Sequence, residues 1–189
     1  MKLSRNNYET DADMVAGCLI GTRTAQEALY RKYKSVLFGI CLRYTSDRDE
    51  AQDILQESFI KIFTRLHQFK NEGSLEGWLK RITVHTAIEN YRKKQRHAIT
   101  EELDESHYDD LPAQFSEYGD MEVLTEAIQK LPDGCRTVFN LFVVEGYSHK
   151  EIGQTLNISE GASRAQLAYA RKKLMDFFLE FNRIPHVVS

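Results

Sequence analysis

Ser148 to Lys173, reading SHKEIGQTLNISEGASRAQLAYARKK, sets cationic and amide side chains at the spacing of two short helices and a tight turn. The second of those helices carries a cationic face, which suits a partner rich in phosphates. The elements that would hold that face are written alongside. Ser148 and Glu151 form a capping box, each side chain satisfying a free N–H at the start of a helix. Ile152 and Leu156 make an apolar stripe, Asn157 suits the left-handed conformation of a sharp turn, and Ser159 can cap the second helix. Ser163, Leu167, Ala170 and Leu174 then fall on one helical face, while Arg164, Ala165, Ala168 and Lys172 point elsewhere. That is the layout of a helix-turn-helix shaped for a DNA major groove. An ordinary helical hairpin with a solvated basic face shares the pattern.

Two further stretches carry candidate chemistry. In Asp49 to Phe63, DEAQDILQESFIKIF, residues Leu55, Phe59, Ile62 and the following Leu66 share a core face, leaving Asp53, Gln56, Glu57 and Lys61 away from it. Those residues are either a solvated face or a docking surface for a partner of complementary charge. Farther on, Trp78, Ile82, Ile88 and Tyr91 continue an apolar pattern, with Trp78 expected in the core. Lys80, Arg81, His85, Arg92, Lys93, Lys94 and Arg96 lie on the other faces. Basic residues among aromatics suit a DNA backbone and unstacked bases, since phosphates reward Lys and Arg while bases stack on rings. The preceding loop, FKNEGSL, is short and polar and can form a pocket offering Lys70, Asn71 and Ser74.

The whole chain has 189 residues, 42% of them hydrophobic, enough for one large or two small domains with true cores. No run approaches the roughly 20 apolar residues that span a bilayer, and MKLSRNNYETDAD lacks the apolar stretch of a secretory signal, so a cytoplasmic protein is expected. Cys18, Cys41 and Cys135 are odd in number and sit in apolar helical patterns, which predicts buried free thiols. No His pair has metal-ligand spacing, and no P-loop, nucleophile elbow or paired-Cys site occurs; no metal, cofactor, small-molecule substrate or catalysis is expected. The net charge of −3 conceals a strong asymmetry. Residues 61–96 are rich in Lys and Arg, whereas 97–129 contain neither and hold many acids. Such blocks suggest a polyanion-binding surface beside a solvated linker.

The pattern predicts an all-α chain of two compact helical domains on a flexible tether, with three prolines and no alternating strand pattern. Helices are expected over about Asp13–Gly21, Thr24–Tyr44, from a cap at Ser46 through Leu66, and from a cap at Ser74 to about Arg96. The acidic segment 97–118, with Pro112, reads as the linker. A second helical unit begins near Asp120, with Pro132 in the first turn of a helix that runs to Glu145 and stops at Gly146. Domain limits of 1–96 and 119–189 follow.

Taken in order, DEAQDILQESFIKIF, FKNEGSLEGWLKRITVHTAIENYRKKQR and LPDGCRTVFNLFVVEGYSHKEIGQTLNISEGASRAQLAYARKKL resemble the bacterial RNA polymerase sigma factors, specifically the extracytoplasmic-function (ECF) group. The match runs from about Thr24 to Leu174. The resemblance implies that Asp53, Gln56 and Glu57 dock on the β′ clamp helices of core RNA polymerase, and that the C-terminal domain meets the β flap. It implies that Lys70, Asn71, Ser74, Lys80, Arg81, His85, Arg92 and Lys93 recognise and melt the −10 promoter element, the loop holding a flipped base. The −35 element falls to Ser159, Arg164, Ala165, Gln166, Ala168, Arg171 and Lys172. An anti-sigma protein that clamps both domains is a further implied partner.

Three departures bear on these roles. His85 stands where the family commonly has Asn. The recognition helix reads SEGASRAQ in place of a Gly-Thr-Val-Lys/Arg-Ser-Arg pattern. Ser163 occupies a position that is usually branched and apolar, which predicts looser packing. With Ala165 and Ala168 limited to methyl and backbone contacts, direct readout is expected to rest on Arg164 and Gln166. A stand-alone helix-turn-helix regulator would also explain Ser148–Lys173, but it leaves the N-terminal half without a purpose.

Overall fold

The computed structural model describes the backbone of residues 8–100 and 120–181, and the side chains of 8–96 and 123–181. Every regular element among them is helical: α1 Asp11–Leu19, α2 Arg23–Tyr44, α3 Arg48–Arg65, a 3-10 turn Leu66–Gln68, α4 Leu75–Thr100, α5 Asp120–Gln129, α6 Asp133–Phe139, a π-helical turn Asn140–Val144, α7 His149–Leu156 and α8 Glu160–Phe181. The fold is all-α. Contacts divide it into two units, the described part of Met1–Leu42 with Asp47–Ala87, and Arg43–Ser46 with the described part of Ile88–Ser189.

In the first unit the apolar period of each helix closes one core. Met14 of α1, Leu29 and Leu37 of α2, Ile62 of α3, Leu66 and Leu79 are each at most 2% exposed, and a fully buried Leu contributes about 1.5–3 kcal/mol of transfer free energy. Leu55, Phe59, Ile62 and Leu66 are all buried, as their spacing predicts. α1 opens with a capping box of Thr10 and Asp13. It is tied to α2 by Asp11, whose Oδ1 accepts from Lys32 Nζ at 2.7 Å and Tyr33 Oη at 2.7 Å. α3 departs from expectation at its start. Asp47, not Ser46, is the N-cap, accepting from the N–H groups of Asp49 and Glu50. Cys18 and Cys41 are buried free thiols, whereas Cys135 in the second unit is only partly buried.

α4 is capped by Ser74, whose Oγ accepts from Gly77 N at 3.1 Å. It runs through Thr100, four residues beyond the expected end at Arg96, because no breaker follows that arginine. Those four residues are the start of the acidic segment; 101–119 lie outside the described residues.

The second unit is a helix-turn-helix on a small apolar base. Ala127, Ile128, Leu131, Ala170 and Leu174 form its core, with Phe139, Phe177 and Phe178 packed against it. Pro132 precedes α6 as its N-cap instead of entering the first turn. The helix expected to reach Glu145 instead widens: Glu145 N bonds Asn140 O at 3.0 Å, five residues back, before Gly146 turns the chain at φ 76. Such π turns fit one extra residue into a helix, here leaving Asn140 and Leu141 buried.

Candidate nucleic-acid interface

Three surfaces assemble the residues singled out above. The first lies at the loop before α4. Asn71 takes φ 58 and Gly73 φ 111, so the chain doubles back on two left-handed residues. This encloses a pocket of about 370 Å³ lined by Phe69, Lys70, Glu72, Ser74, Trp78 and Arg81, among others. Trp78 is half-buried, not a core residue. Its ring tilts against Phe69 at 5.6 Å between centroids, giving the pocket an aromatic wall. Lys70 and Arg81 supply cations against the single acid Glu72. Ser74 contributes less freely than expected, since its oxygen is committed to the helix cap.

From this pocket a basic face continues along α4. At 3.6 residues per turn Arg81, His85 and Arg92 lie within about 40° of one another, and all three are exposed. Lys93 and Lys80 flank that line on opposite sides, and the Lys80 ammonium pairs with Glu76 at 2.6 Å. Arg81 therefore belongs both to the pocket and to the basic face.

The second surface is on α3. Asp53, Gln56 and Ile60 are exposed and share one face, with Glu57 beside them held by Lys61 at 2.8 Å. Sequence reasoning missed two features here. Ile60 is 67% exposed, an apolar residue on the polar face. Gln56 also borders a second pocket, of about 440 Å³, to which α2 contributes Tyr30, Lys34 and Phe38. Ile60 was detectable as an apolar residue off the core period; the pocket, built by packing α2 on α3, was not.

The third surface is the helix-turn-helix. The Ser148–Glu151 capping box is formed, with Ser148 N to Glu151 Oε2 at 2.8 Å and Glu151 N to Ser148 Oγ at 3.3 Å. The hydrogen bonds from the Ser148 hydroxyl and backbone hold the Glu151 carboxyl below its ordinary range. Asn157 adopts φ 56, ψ 46, and Ser159 Oγ accepts from Ala162 N at 3.0 Å. Gly153 is required here, because a Cβ would lie 2.9 Å from Ile158 O. Ser163, Leu167, Ala170 and Leu174 are all buried, which aims the opposite side of α8 outward.

On that outward side Arg164, Ala168 and Arg171 align, with Ala165 and Lys172 adjoining, all exposed. Arg164 donates to Glu160 one turn earlier, and the Arg171 guanidinium lies 5.8 Å from the Phe142 ring centre. Gln166 is not brought to this face. It sits about 160° round the helix from Arg164, with Oε1 buried and Nε2 against Gly134, where a Cβ would lie 3.2 Å away. Ser163, expected to loosen the packing, is fully buried with its Oγ 2.9 Å from His149 Nδ1. Among the described residues no cluster of three His, Cys, Asp or Glu side chains can hold a metal, and no helix is long and apolar enough to cross a membrane.

Two family models match the chain in succession. The family described as Sigma-70 region 2 matches residues 29–97, and Sigma-70, region 4 matches residues 121–174. The ECF RNA polymerase sigma factor SigW of Bacillus subtilis is 31% identical over 156 residues, covering 75% of this chain and 82% of SigW. The chain belongs to the sigma-70 family, in its ECF group. RNA polymerase sigma-H factor of Pseudomonas aeruginosa is 28% identical over 178 residues, 88% of this sigma factor and 92% of that protein. ECF sigma factor SigE of Mycolicibacterium smegmatis is 30% identical over 158 residues, 80% of this chain but only 60% of SigE. The pocket and the α3 face fall inside the region 2 match and the helix-turn-helix inside region 4. The N-terminal half thus has a role that a stand-alone regulator would leave unexplained, and the sigma-factor reading prevails.

Proposed function

We propose that this sigma factor binds core RNA polymerase through the α3 face, opens the −10 element with the Phe69–Arg81 pocket and α4, and reads the −35 element with α8. The observation that carries the proposal is the continuity of pocket and basic face: Arg81 lines the pocket and begins the line through His85 to Arg92. A strand whose phosphates follow that line can deliver an unstacked base to the Phe69–Trp78 wall, offsetting an extrusion cost of a few kcal/mol.

Asp53, Gln56, Glu57 and Ile60 form the docking face, an apolar residue rimmed by polar ones, suited to the β′ clamp helices. Arg164 is the principal base reader, Ala165 and Ala168 meet methyl groups or sugar, and Arg171 and Lys172 hold phosphates. Residues 1–96 act as the polymerase and −10 domain, 119–189 as the −35 domain with the β flap as a further contact, and 97–118 as their tether. The factor works in the cytoplasm, performs no chemistry of its own, and answers to an anti-sigma protein that covers its polymerase-facing surfaces.

Reconstituted transcription tests this reading. Purified protein and core polymerase on a promoter library should give transcripts from templates sharing one −10/−35 pair. Stable duplex binding with no promoter-specific transcript would return the chain to the stand-alone regulator class.

A further inference from the structure

We propose that His149 is a positioning residue for −35 recognition, holding the reading helix α8 through a hydrogen bond to the buried hydroxyl of Ser163. The proposal rests on α8 being the −35 reader and deepens that assignment.

Ser163 is 0% exposed, in the middle of the stripe that packs α8 onto the rest of its unit. A buried hydroxyl without a partner is costly, so its bond is a structural determinant. The local solution is a bond to the carbonyl four residues back. Ser58, Thr83, Thr86 and Thr137 all take it, at 2.7, 3.1, 2.9 and 2.8 Å. Ser163 does not. Its Oγ lies 2.9 Å from His149 Nδ1, fourteen residues earlier, in the first turn of the other helix of the motif.

The imidazole is itself fixed. It stacks on Phe142 of the π turn with centroids 4.5 Å apart and planes inclined by 22°, and Arg171 of the outward face approaches the same Phe142 ring. One side chain therefore joins the π turn, α7 and α8. Asn157 and Gly153 already fix the tight turn between the two helices. The buried stripe of Leu167, Ala170 and Leu174 sets the rotation of α8 about its own axis coarsely, and the fine rotation decides where Arg164 and Arg171 point. An apolar contact tolerates sliding, whereas a hydrogen bond weakens steeply with distance and angle. The polar pair at 149 and 163 thus sets the rotation that a branched apolar residue would leave to packing.

Two substitutions separate the hydrogen bond from the stack. His149→Phe keeps a ring on Phe142 and deletes the bond; His149→Asn keeps a polar atom near the place of Nδ1 and deletes the stack. Full-length variants with core polymerase are compared on a cognate promoter and on the same promoter with a scrambled −35 element. The readout is the ratio of the two initiation rates. We expect His149→Phe to lower that ratio about 3- to 10-fold, the worth of one buried hydrogen bond, with core affinity close to wild type and a lower melting temperature, since the Ser163 hydroxyl loses its partner. His149→Asn should recover at least half of the lost discrimination, and adding Ser163→Ala to His149→Phe should cost nothing more. A wild-type ratio in His149→Phe, a loss that only tracks the folded fraction, or full additivity with Ser163→Ala each overturns the proposal. If the wild-type protein itself ignores the −35 element, the assignment of α8 falls first and the pin's role falls with it.

Discussion

The Arg164 guanidinium donates to the Glu160 carboxylate one turn before it on α8, so the side chain proposed to read bases is already paired. Both groups are substantially exposed, with side-chain exposures of 61% and 45%; an exposed pair contributes little to stability, in the range of about 0–1 kcal/mol. Under the proposed function its effect is on recognition: Glu160 would orient the fork and compete with DNA for it. Arg164→Ala should therefore lower −35-dependent initiation about 5- to 150-fold, the value of one bidentate contact, and leave a scrambled −35 promoter unaffected. Glu160→Gln should raise affinity for any duplex, cognate or scrambled, by removing a charge that repels phosphates. Equal losses on both promoters for Arg164→Ala would remove it from base reading.

Asn71 combines a left-handed backbone with an exposed amide in the loop before α4, but the residues lining the neighbouring pocket do not include it. Asn71→Gly retains the turn and deletes the amide, because glycine takes positive φ without strain. Asn71→Ala deletes the amide and adds about 1–2 kcal/mol of backbone strain. Both should slow promoter opening about 2- to 10-fold, one hydrogen bond's worth, with a lower melting temperature only for alanine. Permanganate reactivity of the opened strand measures the first effect. Normal opening by the glycine variant would show that the turn, and not the amide, is what promoter opening uses.

Lys93 lies beside the Arg81–His85–Arg92 line and not on it. Its expected role is a phosphate contact. Lys93→Ala should weaken DNA binding alike across sequences and reduce the slope of log affinity against log salt by about 1. An unchanged slope, measured between low and moderate salt, would place Lys93 outside the DNA path.

Glu151 links stability of the reading domain to pH. Its carboxyl is depressed by the hydrogen bonds from Ser148. A group whose folded value is lowered adds stability that is fully present above its unfolded value of 4.5 and is lost as pH falls through the lower folded value. Acid should thus remove this contribution to the wild-type domain's stability progressively below about pH 4.5, and Glu151→Gln should flatten that part of the curve because its amide does not titrate. Separately, Ser148→Ala removes an N-cap, at a cost of about 1 kcal/mol at neutral pH. Parallel acid slopes for wild type and Glu151→Gln in thermal melts would exclude the carboxyl.

Features set within one turn of helix were legible in the sequence. The Ser148–Glu151 box, the left-handed Asn157, the Ser159 cap and the stripe from Ser163 to Leu174 all depend on residue type at fixed local offsets. Gln166 was also decidable that way: two residues from Arg164 carry it to the far side of the helix, and helical period alone separates them. Other features depend on distant partners. The π turn at Asn140–Val144 has no composition of its own. Trp78 leaves the core because Phe69 meets it across the loop, and the pocket at Gln56 exists only where α2 and α3 pack. Ser163 looked like a packing defect because its partner, His149, lies in another helix.

Arg136 is the least expected of these long-reaching groups, an arginine only 2% exposed in the base of the reading domain. Its Nε donates to Ile128 O at 3.2 Å, its Nη2 to Gln129 O at 2.8 Å and Leu131 O at 2.5 Å, and its Nη1 to Asp133 Oδ1 at 2.9 Å. The carbonyls belong to the end of α5 and the turn after it, groups that a helix terminus leaves without intrahelical donors. One guanidinium thus caps α5 and fixes its angle to α6. Arg136→Met fills the volume without the donors and leaves Gln129 O and Leu131 O short of partners, while Ile128 O keeps the N–H of Leu131, at about 1–3 kcal/mol for each that water cannot reach. A loss on the order of 2 kcal/mol or more is expected, large against the 5–15 kcal/mol of a typical domain. Arg136→Lys should restore less than half of it, since an ammonium cannot span the fork. Amide exchange in α5 to α8 should accelerate in the methionine variant while core-polymerase affinity through the α3 face persists. Unchanged exchange in α5 would show that water, not Arg136, satisfies that helix end.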